Sequence, residues 1–283
     1  LVQNEKVSRA MMVPTMLKML LEHPSRPNYD LSSLEVLTYG AAAMPKEVIK
    51  RAIVELEDTQ FINAFGQTEA SATITALMPE DHNVKGLSDE ERDKKFERLS
   101  SIGKPLPGVE IRIVDEDGAD VPTGDQGEII ASGPQLMKGY WQQEDATSET
   151  IKNGWLFTGD LGYKDDEGYI FLSGRAKDFI KRAGEMISPE EVEQLLMSHA
   201  SVDEAAIIGI PDDTWGERVR AIIVLKQNQE TTETDLIEFS RKNLASFKRP
   251  ESIVFSSEPL PRNPLGKVLK RDLKQMYDQP IED

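Results

Sequence analysis

The sequence predicts a mixed protein in which an α/β region is followed by a smaller α+β domain. Near the start, an amphipathic helix separates two short apolar segments, which is the pattern of a β-α-β unit. From Val109 onward, alternating residues between turn signals indicate successive β-strands. After Gly174 the pattern changes to a short succession of strands and helices. We therefore expect two domains, residues 1–173 and 174–283.

The β-α-β unit lies within residues 1–99. Residues 36–39 and 61–62 are predicted to be short buried strands, and a helix beginning at Pro45 lies between them. Parallel strands joined by a crossover helix place both following loops at one carboxyl edge of the sheet, where open α/β sheets bind ligands. The loops at residues 40–43 and 63–69 are therefore predicted to meet one nucleotide.

The remaining segments complete the two domains. Residues 79–99 are polar and charged and predict a surface insertion, and residues 100–173 predict a small β-barrel or sandwich. In the second domain, Ser188 and Glu191 around Pro189 have the pattern of a capping box and predict a helix start. The other predicted elements are strands at 205–210, 219–225 and 253–255 and helices near 233–244 and 268–276.

Composition excludes several classes of protein. The 283-residue chain has no cysteine and three histidines, so disulfide frameworks, cysteine nucleophiles and histidine-rich metal sites are not expected. The net charge of −17 argues against nucleic-acid binding, since phosphate neutralisation needs an excess of Lys and Arg. No apolar run approaches the ~18 residues of a membrane span, and we expect a cytoplasmic protein without a transmembrane segment.

Two motifs follow predicted strands. Residues 63–69 place a glycine, an amide, a hydroxyl and a carboxylate after a buried strand, which suits a phosphate with a metal, because Glu69 is the type of oxygen ligand that Mg²⁺ takes beside phosphates. The alternative is a strand exit with a Thr turn and a solvated Glu69. Residues 154–160 end in Gly159 and Asp160, whose carboxylate is suited to a ribose. The alternative is a hairpin aspartate that closes its own turn.

Two further motifs carry cations. Residues 174–178 lie where the β region stops and form a candidate interdomain hinge, although charge alone leaves a solvated linker open. Residues 261–267 set Lys267 at the end of a Pro- and Gly-punctuated loop, from which it can act as a point charge on a phosphate. The alternative for Lys267 is a surface turn residue.

Together and in this order, the motifs resemble the superfamily of acyl-CoA synthetases, adenylation domains and luciferases, and most closely an acyl-CoA ligase. The matching segments are Tyr39-Gly40-Ala41-Ala42-Ala43, Phe65-Gly66-Gln67-Thr68-Glu69, Gly127-Glu128-Ile129, Gly139-Tyr140-Trp141, residues 154–160, residues 174–178 and Gly266-Lys267. They span nearly the whole chain, so the resemblance is highly specific.

The resemblance implies a two-step reaction with ATP, Mg²⁺ and CoA as cofactors. A carboxylic acid attacks the α-phosphate of ATP, pyrophosphate leaves, and a thiol then attacks the acyl-adenylate. Glu69 would bind Mg²⁺, and Lys267 would be the catalytic lysine that bridges the acyl carboxylate and the α-phosphate. The implied nucleotide-binding residues are Gly40, Ala41, Ala42, Asn63, Phe65, Gly66, Thr68, Asp160 and Arg175.

The thiol step would use a second orientation of the small domain. Lys177 matches the hinge position of the family. The implied CoA tunnel is lined by Lys181, Arg182, Ala183 and Gly184. Many relatives have a second glycine where Ala183 stands, a departure that bears on the shape of the tunnel.

One family element is missing from the sequence. The Ser/Thr/Gly-rich loop ending in Pro-Lys-Gly, which binds the β- and γ-phosphates of ATP, normally lies upstream of Leu1. We therefore expect a C-terminal portion of a longer enzyme that does not adenylate efficiently alone. Missing upstream strands would leave unpaired sheet edges that favour a homo-oligomer or another partner.

The resemblance leaves several functions open. The leading hypothesis is an acyl-CoA or aryl-CoA ligase, and the runner-up is an adenylating enzyme that loads a carrier protein. A non-catalytic AMP-binding module and a luciferase-like oxygenase are further alternatives. The small side chains of residues 41–43 fit a medium, long or aryl acid better than acetate, but they also fit simple packing at a helix entry.

Overall fold

In the computed structural model, the described residues 1–42, 44–263 and 266–281 contain three open five-stranded sheets. The chain divides into two compact units, Leu1–Leu172 and Ser173–Asp283. Each unit is described by itself. The mixed α/β and α+β fold class predicted from the sequence is confirmed.

The first unit contains two of the sheets. Its helices are α1 (Val2–Glu5), α2 (Pro14–Glu22), α3 (Lys46–Glu55), α4 (Pro79–His82), α5 (Asp89–Arg98) and α6 (Glu144–Thr150). Its strands are β1 (Arg9–Met12), β2 (Val36–Gly40), β3 (Gln60–Phe65), β4 (Thr75–Leu77), β5 (Lys104–Pro105), β6 (Glu110–Val114), β7 (Gly127–Ser132), β8 (Ile151–Lys152), β9 (Trp155–Lys164) and β10 (Ile170–Arg175), the last of which continues into the second unit.

The first sheet has the order β1-β2-β3-β4-β5 and holds the predicted β-α-β unit. Strands β1, β2 and β3 are parallel, and the later strands are antiparallel. Helix α3 covers this sheet because its apolar residues recur on one face, and Ile49, Ala52 and Leu56 are buried in one core cluster with Leu37 and Phe61. The crossover helix predicted from the sequence is confirmed, starting one residue after Pro45.

The second sheet has the order β10-β9-β7-β6, with β8 also paired to β9. The barrel or sandwich prediction for residues 100–173 was wrong, because the described strands form one open sheet whose ends, β6 and β10, are not joined. One side of this sheet buries Ile113, Ile129 and Ile170 together with Ile102. A sheet whose face is already covered in this way does not need to close on itself to exclude water.

The second unit is a mixed sheet covered by helices. Its further strands are β11 (Ile180–Arg182), β12 (Glu185–Ile187), β13 (Val202–Asp212), β14 (Gly216–Leu225) and β15 (Ser252–Phe255), and its helices are α7 (Pro189–Met197), α8 (Glu233–Asn243) and α9 (Lys270–Met276). The order is β12-β11-β14-β13, with β15 parallel to β14. One face packs against α7 and α8 through Val192, Leu196 and Leu236. The other packs against Leu260 and Leu273.

One predicted helix signal forms only in part, and the segment predicted as a surface insertion is helical. Ser188 caps α7 by accepting the backbone N–H of Glu191, but the Glu191 carboxylate pairs with Lys248 at 2.7 Å, so only half of the predicted capping box forms. A full capping box occurs instead at Ser88 and Glu91, at the start of α5. The polar segment 79–99 is therefore largely helical, and helix α5 buries one residue, Phe96. One buried residue in a helix gives no periodic apolar face in the sequence.

A buried polar pair lies beneath the end of β2. The Tyr39 hydroxyl lies 2.9 Å from Nε2 of His82, and Nδ1 of His82 lies 2.9 Å from the Met78 carbonyl oxygen. Because a carbonyl only accepts, Nδ1 donates to Met78. Burial favours the neutral imidazole, in which Nε2 then accepts from the Tyr39 hydroxyl.

Lowering the pH should destabilise the first unit through His82. Burial lowers the pKa of His82 from 6.5 to about 4. As the pH falls below 6.5, the unfolded chain binds a proton that the folded chain does not take up until about pH 4, so stability is lost across this window. Between about pH 7 and pH 5 the loss amounts to roughly 2 kcal/mol, at 1.36 kcal/mol per pKa unit.

Urea unfolding followed by circular dichroism measures this loss. The control is His82→Gln, which has no group that titrates in this range, so the pH dependence of the shared carboxylates cancels in the comparison. The same pH dependence in both proteins would show that His82 does not contribute.

Candidate functional site

The site begins where two neighbouring parallel strands end. Tyr39 of β2 is paired in register with Asn63 of β3, and Gly40 with Ala64. The backbones are so close that a Cβ added to Gly40 would lie 2.2 Å from the Ala64 carbonyl oxygen. The chain then leaves β2 through Ala41 in the left-handed region, with φ 67°. The two strand exits therefore share one edge, as predicted.

The chain after β3 makes a tight loop. The strand extends to Phe65, so Asn63 and Phe65 lie inside β3 and not in the loop that the sequence predicted. A Cβ on Gly66 would lie 2.2 Å from the Ala72 carbonyl oxygen, because the loop folds back on itself. A single 3₁₀ turn, Thr68–Ala70, follows, and the Thr68 side chain is exposed at its start.

Glu69 is held by a residue distant in the sequence. Its Oε1 accepts a hydrogen bond of 2.7 Å from the hydroxyl of Tyr140, and this bond raises the pKa of Tyr140 above its usual value. The Glu69 carbonyl also accepts the N–H of Met137 at 2.7 Å. The alternative of a freely solvated Glu69 side chain is therefore excluded. Sequence reasoning matched Gly139-Tyr140-Trp141 to the family but gave Tyr140 no role.

The donor set around Glu69 fits Mg²⁺ only in part. Among the described residues, no group of three His, Asp or Glu side chains converges on a common point. Mg²⁺ commonly takes one or two carboxylates together with substrate phosphates and water, so a single oriented carboxylate at a strand exit is compatible with it.

Asn63 and Phe65 have structural contacts of their own. The Asn63 amide donates to the Ser101 carbonyl at 3.4 Å. Phe65 packs against two hydrophobic clusters that include Ile74 and Ile113. Their contribution to a ligand pocket would be to hold the strand end in place.

Asp160 lies inside a strand. Strand β9 continues past Gly159 and Asp160, so the predicted strand end at this point, and with it the alternative of a hairpin aspartate, was wrong. The pairing of β9 with β7 is irregular between Glu128 and Ile130, and the Glu128 carboxylate accepts the N–H of Gly159 at 2.9 Å. Asp160 is 5% exposed. An irregularity of this kind re-aims a side chain within a ladder.

The predicted hinge opens the second unit. Arg175 is the last residue of β10, and the 3₁₀ turn Ala176–Asp178 follows. The Lys177 side chain is exposed on this turn. Short turns between elements absorb backbone rotation at low cost, which suits the predicted role.

The predicted CoA segment is a two-residue hairpin. Arg182 pairs with Glu185, and the turn residues Ala183 and Gly184 have φ of 50° and 88°, the signs of a type I′ turn. Such a turn favours glycine at both positions, so Ala183 adopts a left-handed backbone conformation that a residue with a Cβ rarely takes. Arg182 pairs with Glu251 at 2.8 Å and donates to the Phe247 carbonyl, whereas Lys181 is exposed.

Lys267 sits on a loop closed at its base. Its N–H donates to Oδ1 of Asn263 at 2.9 Å, and the Asn263 N–H donates to the Lys267 carbonyl at 2.9 Å. Arg262 and Val268 form a β-bridge. The Lys267 side chain is exposed. Pro264, Leu265 and Ala43, which belong to two of the predicted motifs, lie outside the described residues.

The predicted site residues thus fall on both units. The first carries Gly40, Ala41, Ala42, Asn63, Phe65, Gly66, Thr68, Glu69 and Asp160, and the second carries Arg175, Lys177, Lys181, Arg182, Ala183, Gly184 and Lys267. The described part of the chain has no helix that is both long and apolar enough for a membrane span.

The edge described above combines glycine-lined strand exits with an oriented carboxylate. The family of AMP-binding enzymes matches residues 1–141, and the C-terminal domain of AMP-binding enzymes matches residues 191–267. The chain belongs to this adenylate-forming family.

Relatives with assigned activities are similar over almost the whole chain. A fatty acid–acyl-carrier-protein ligase of Streptomyces coeruleorubidus is 36% identical over 98% of this chain and 51% of its own length. A long-chain-fatty-acid–CoA ligase of Bacillus subtilis is 37% identical over 92% of this chain and 44% of its own length. An amide bond synthetase structure from Marinactinospora thermotolerans superposes with a TM-score of 0.88 at 31% identity, over 98% of this chain and 53% of its own. The chain spans about half the length of these relatives.

Replacing Gly40 by alanine should destabilise the first unit, because the new Cβ would meet backbone at 2.2 Å and neither strand can move away without breaking the ladder. We expect a loss of roughly 1–3 kcal/mol, typical of overpacking. Urea unfolding of the two proteins measures it.

The matched control is Gly133→Ala. Its nearest contact, at 2.5 Å, is the end of the flexible Gln135 side chain, which can rotate away. We expect this change to cost less than about 1 kcal/mol. A similar cost for both variants would contradict the close approach of β2 and β3.

Proposed function

We propose that this chain forms the acyl-adenylate-binding part of an AMP-forming acid:thiol ligase, which activates a carboxylic acid with ATP and transfers the acyl group to CoA. The observation that carries the proposal is the shared edge at which Gly40 and Gly66 open the exits of two parallel strands, with Glu69 oriented beside them. Family membership supports adenylation as the first step.

The proposed first step is attack of a carboxylate oxygen on the α-phosphorus of ATP. A carboxylate–phosphorus bond forms while the bond to pyrophosphate breaks, and no group is oxidised. Gly40, Ala41 and Ala42 would approach the adenine and acyl moieties closely, because small residues leave room there. Thr68 would donate its hydroxyl to a phosphoryl oxygen.

The remaining charges would orient the nucleotide and the reacting groups. The Asp160 carboxylate would accept ribose hydroxyls, together with Arg175. Mg²⁺, when bound, would neutralise phosphate charge, and Glu69 would be its protein ligand. Lys267 would bridge the acyl carboxylate and the α-phosphate, where a positioned cation stabilises the charge that develops.

The second step is attack of a thiol sulfur on the acyl carbon, with loss of AMP and of the thiol proton. Lys177 would lie at the hinge between the two arrangements of the second unit. The hairpin with Ala183 and Gly184 would border the thiol path. Gly184 leaves open space around its Cα, since an added Cβ would meet nothing within 4 Å.

The relatives differ in the molecule that accepts the acyl group. One acts on an acyl carrier protein, one on CoA, and one is an amide bond synthetase. We favour CoA as the acceptor, as for the Bacillus subtilis relative. We favour a medium, long or aryl acid as the substrate, because residues 41 and 42 are small. ATP and CoA would be met in the cytoplasm.

Lys267→Ala should strongly reduce adenylate formation while sparing the thiol step. Its charge is needed only during attack at the α-phosphate, so pyrophosphate exchange should fall by about 10²- to 10³-fold, as for loss of a charge-stabilising donor. Thioester formation from supplied acyl-AMP should stay near the native rate. Both rates are measured in the full-length protein.

The matched control for this experiment is Lys242→Ala, because Lys242 is an exposed lysine on α8 of the same unit. It should leave both half-reactions unchanged. Equal loss of the two half-reactions in Lys267→Ala would remove Lys267 from the adenylation step.

AMP release should depend on CoA. The assay contains ATP, Mg²⁺ and a panel of carboxylic acids, with CoA, an acyl carrier protein or neither, and compares this chain with the full-length protein. Saturable CoA dependence in the full-length protein, with little release by this chain alone, is the expected result. Release that needs the carrier protein and ignores CoA would favour the carrier-loading ligase. AMP binding without release under any condition would favour a non-catalytic module.

A further inference from the structure

A lysine whose ammonium group is buried lies three residues after Lys267. Lys270 is the first residue of α9, and its side chain is 16% exposed. Its Nζ lies 2.9 Å from Oε1 of Glu193 and 3.6 Å from Oε1 of Glu190, both on α7. Glu193 is itself 14% exposed and accepts the N–H of Ile207 in β13 at 2.8 Å. The proposed chemistry uses none of these groups.

The cation stays charged in this setting. Burial alone would lower the pKa of Lys270, but the carboxylates of Glu193 and Glu190 outweigh it, so its pKa lies above the ordinary value. A buried ion pair adds little net stability compared with an apolar pair, but it fixes geometry, because moving either partner leaves an uncompensated charge. This cluster therefore holds the start of α9 at one place on α7.

The start of α9 is also the end of the Lys267 loop. The N–H of Leu269 donates to the Pro261 carbonyl at 2.8 Å, which ties the loop end to its beginning. The beginning is anchored as well, because Arg262 pairs with Glu204 of β13 and donates to the Gly266 carbonyl at 2.7 Å. The described ends of the loop, residues 261–263 and 266–269, are therefore held by two cationic anchors, Arg262 and Lys270.

The same turn of α7 touches the first residues of the second unit. Ser188 donates to the Ser173 carbonyl, and Glu190 Oε2 lies 2.2 Å from the position that a Cβ on Gly174 would occupy. Gly174 has φ 127°. One carboxylate, Glu190, thus contacts both the segment that precedes Lys177 and the Lys270 ammonium.

We propose that Lys270 is a positioning residue, which, through Glu190 and Glu193, fixes the Lys267 loop relative to the segment that opens the second unit. The inference rests on the proposed function for its catalytic consequence, because Lys267 is the group positioned. A misplacement of about 1 Å at a catalytic group can cost about 100-fold in rate.

The test replaces Lys270 by methionine and by arginine. In Lys270→Met, pyrophosphate exchange should fall by about 10- to 100-fold, whereas thioester formation from supplied acyl-AMP should change by less than about 3-fold. Lys270→Arg keeps the charge and should recover most of the exchange rate. The control is Lys274→Met on the same helix, where the lysine is 43% exposed and its nearest carboxylate is 3.8 Å away.

A second readout does not depend on catalysis. Hydrogen exchange of the Lys267 and Leu269 amides, whose acceptors lie within the loop, should accelerate by at least about tenfold in Lys270→Met while core amides of β14 keep their protection. If Lys270→Met fails to fold because Glu193 is left unpaired, the double variant Lys270→Met/Glu193→Gln removes that lone charge and serves in its place.

The outcomes distinguish the positioning role of Lys270 from the proposed function. Unchanged amide exchange, or equal loss of both half-reactions without recovery in Lys270→Arg, overturns the positioning role. If Lys267→Ala has no effect on adenylation but the loop amides still exchange faster in Lys270→Met, the proposed function fails while the anchor itself is supported.

Discussion

The parallel pairing of β2 with β3 is the constraint on which the candidate site depends. Because Gly40 is in register with Ala64, both strands release their loops at one edge, and the 2.2 Å approach leaves no room for any other residue at position 40. Helix α3 enforces this pairing by burying Ile49 and Ala52 against the sheet. The apolar core thus sets where the two polar loops begin.

The two units contain different kinds of buried polar contact. In the first, Tyr39 and the neutral imidazole of His82 satisfy one another below the strand end, without a net charge. In the second, Lys270 is charged and surrounded by two carboxylates. Burying a neutral hydrogen-bonded pair costs less desolvation free energy than burying charges. An ionic cluster, in contrast, fixes the relative position of the elements that carry it, because moving one partner leaves an uncompensated charge.

Sequence reasoning succeeded where periodicity and spacing carry the information. The face of α3 and the β-α-β crossover follow from local patterns, and the family follows from the order of motifs. It failed at Asp160 because an irregular strand pairing has no local signature, so a glycine inside β9 resembled a strand end. Sequence reasoning could not find the contact of Tyr140 with Glu69, since the two are 71 residues apart. It also could not show that the second sheet is open and does not form a barrel or sandwich.

The Lys267 side chain is flexible, whereas the backbone that carries it is held by hydrogen bonds. An exposed lysine is a point charge on four rotatable bonds, so it can reach a phosphate from many angles but has little inherent aim. The position of its charge must then be set by the backbone that carries the side chain. The mutual bonds of Asn263 and Lys267 close that base, and the anchors at Arg262 and Lys270 connect it to β13 and α7.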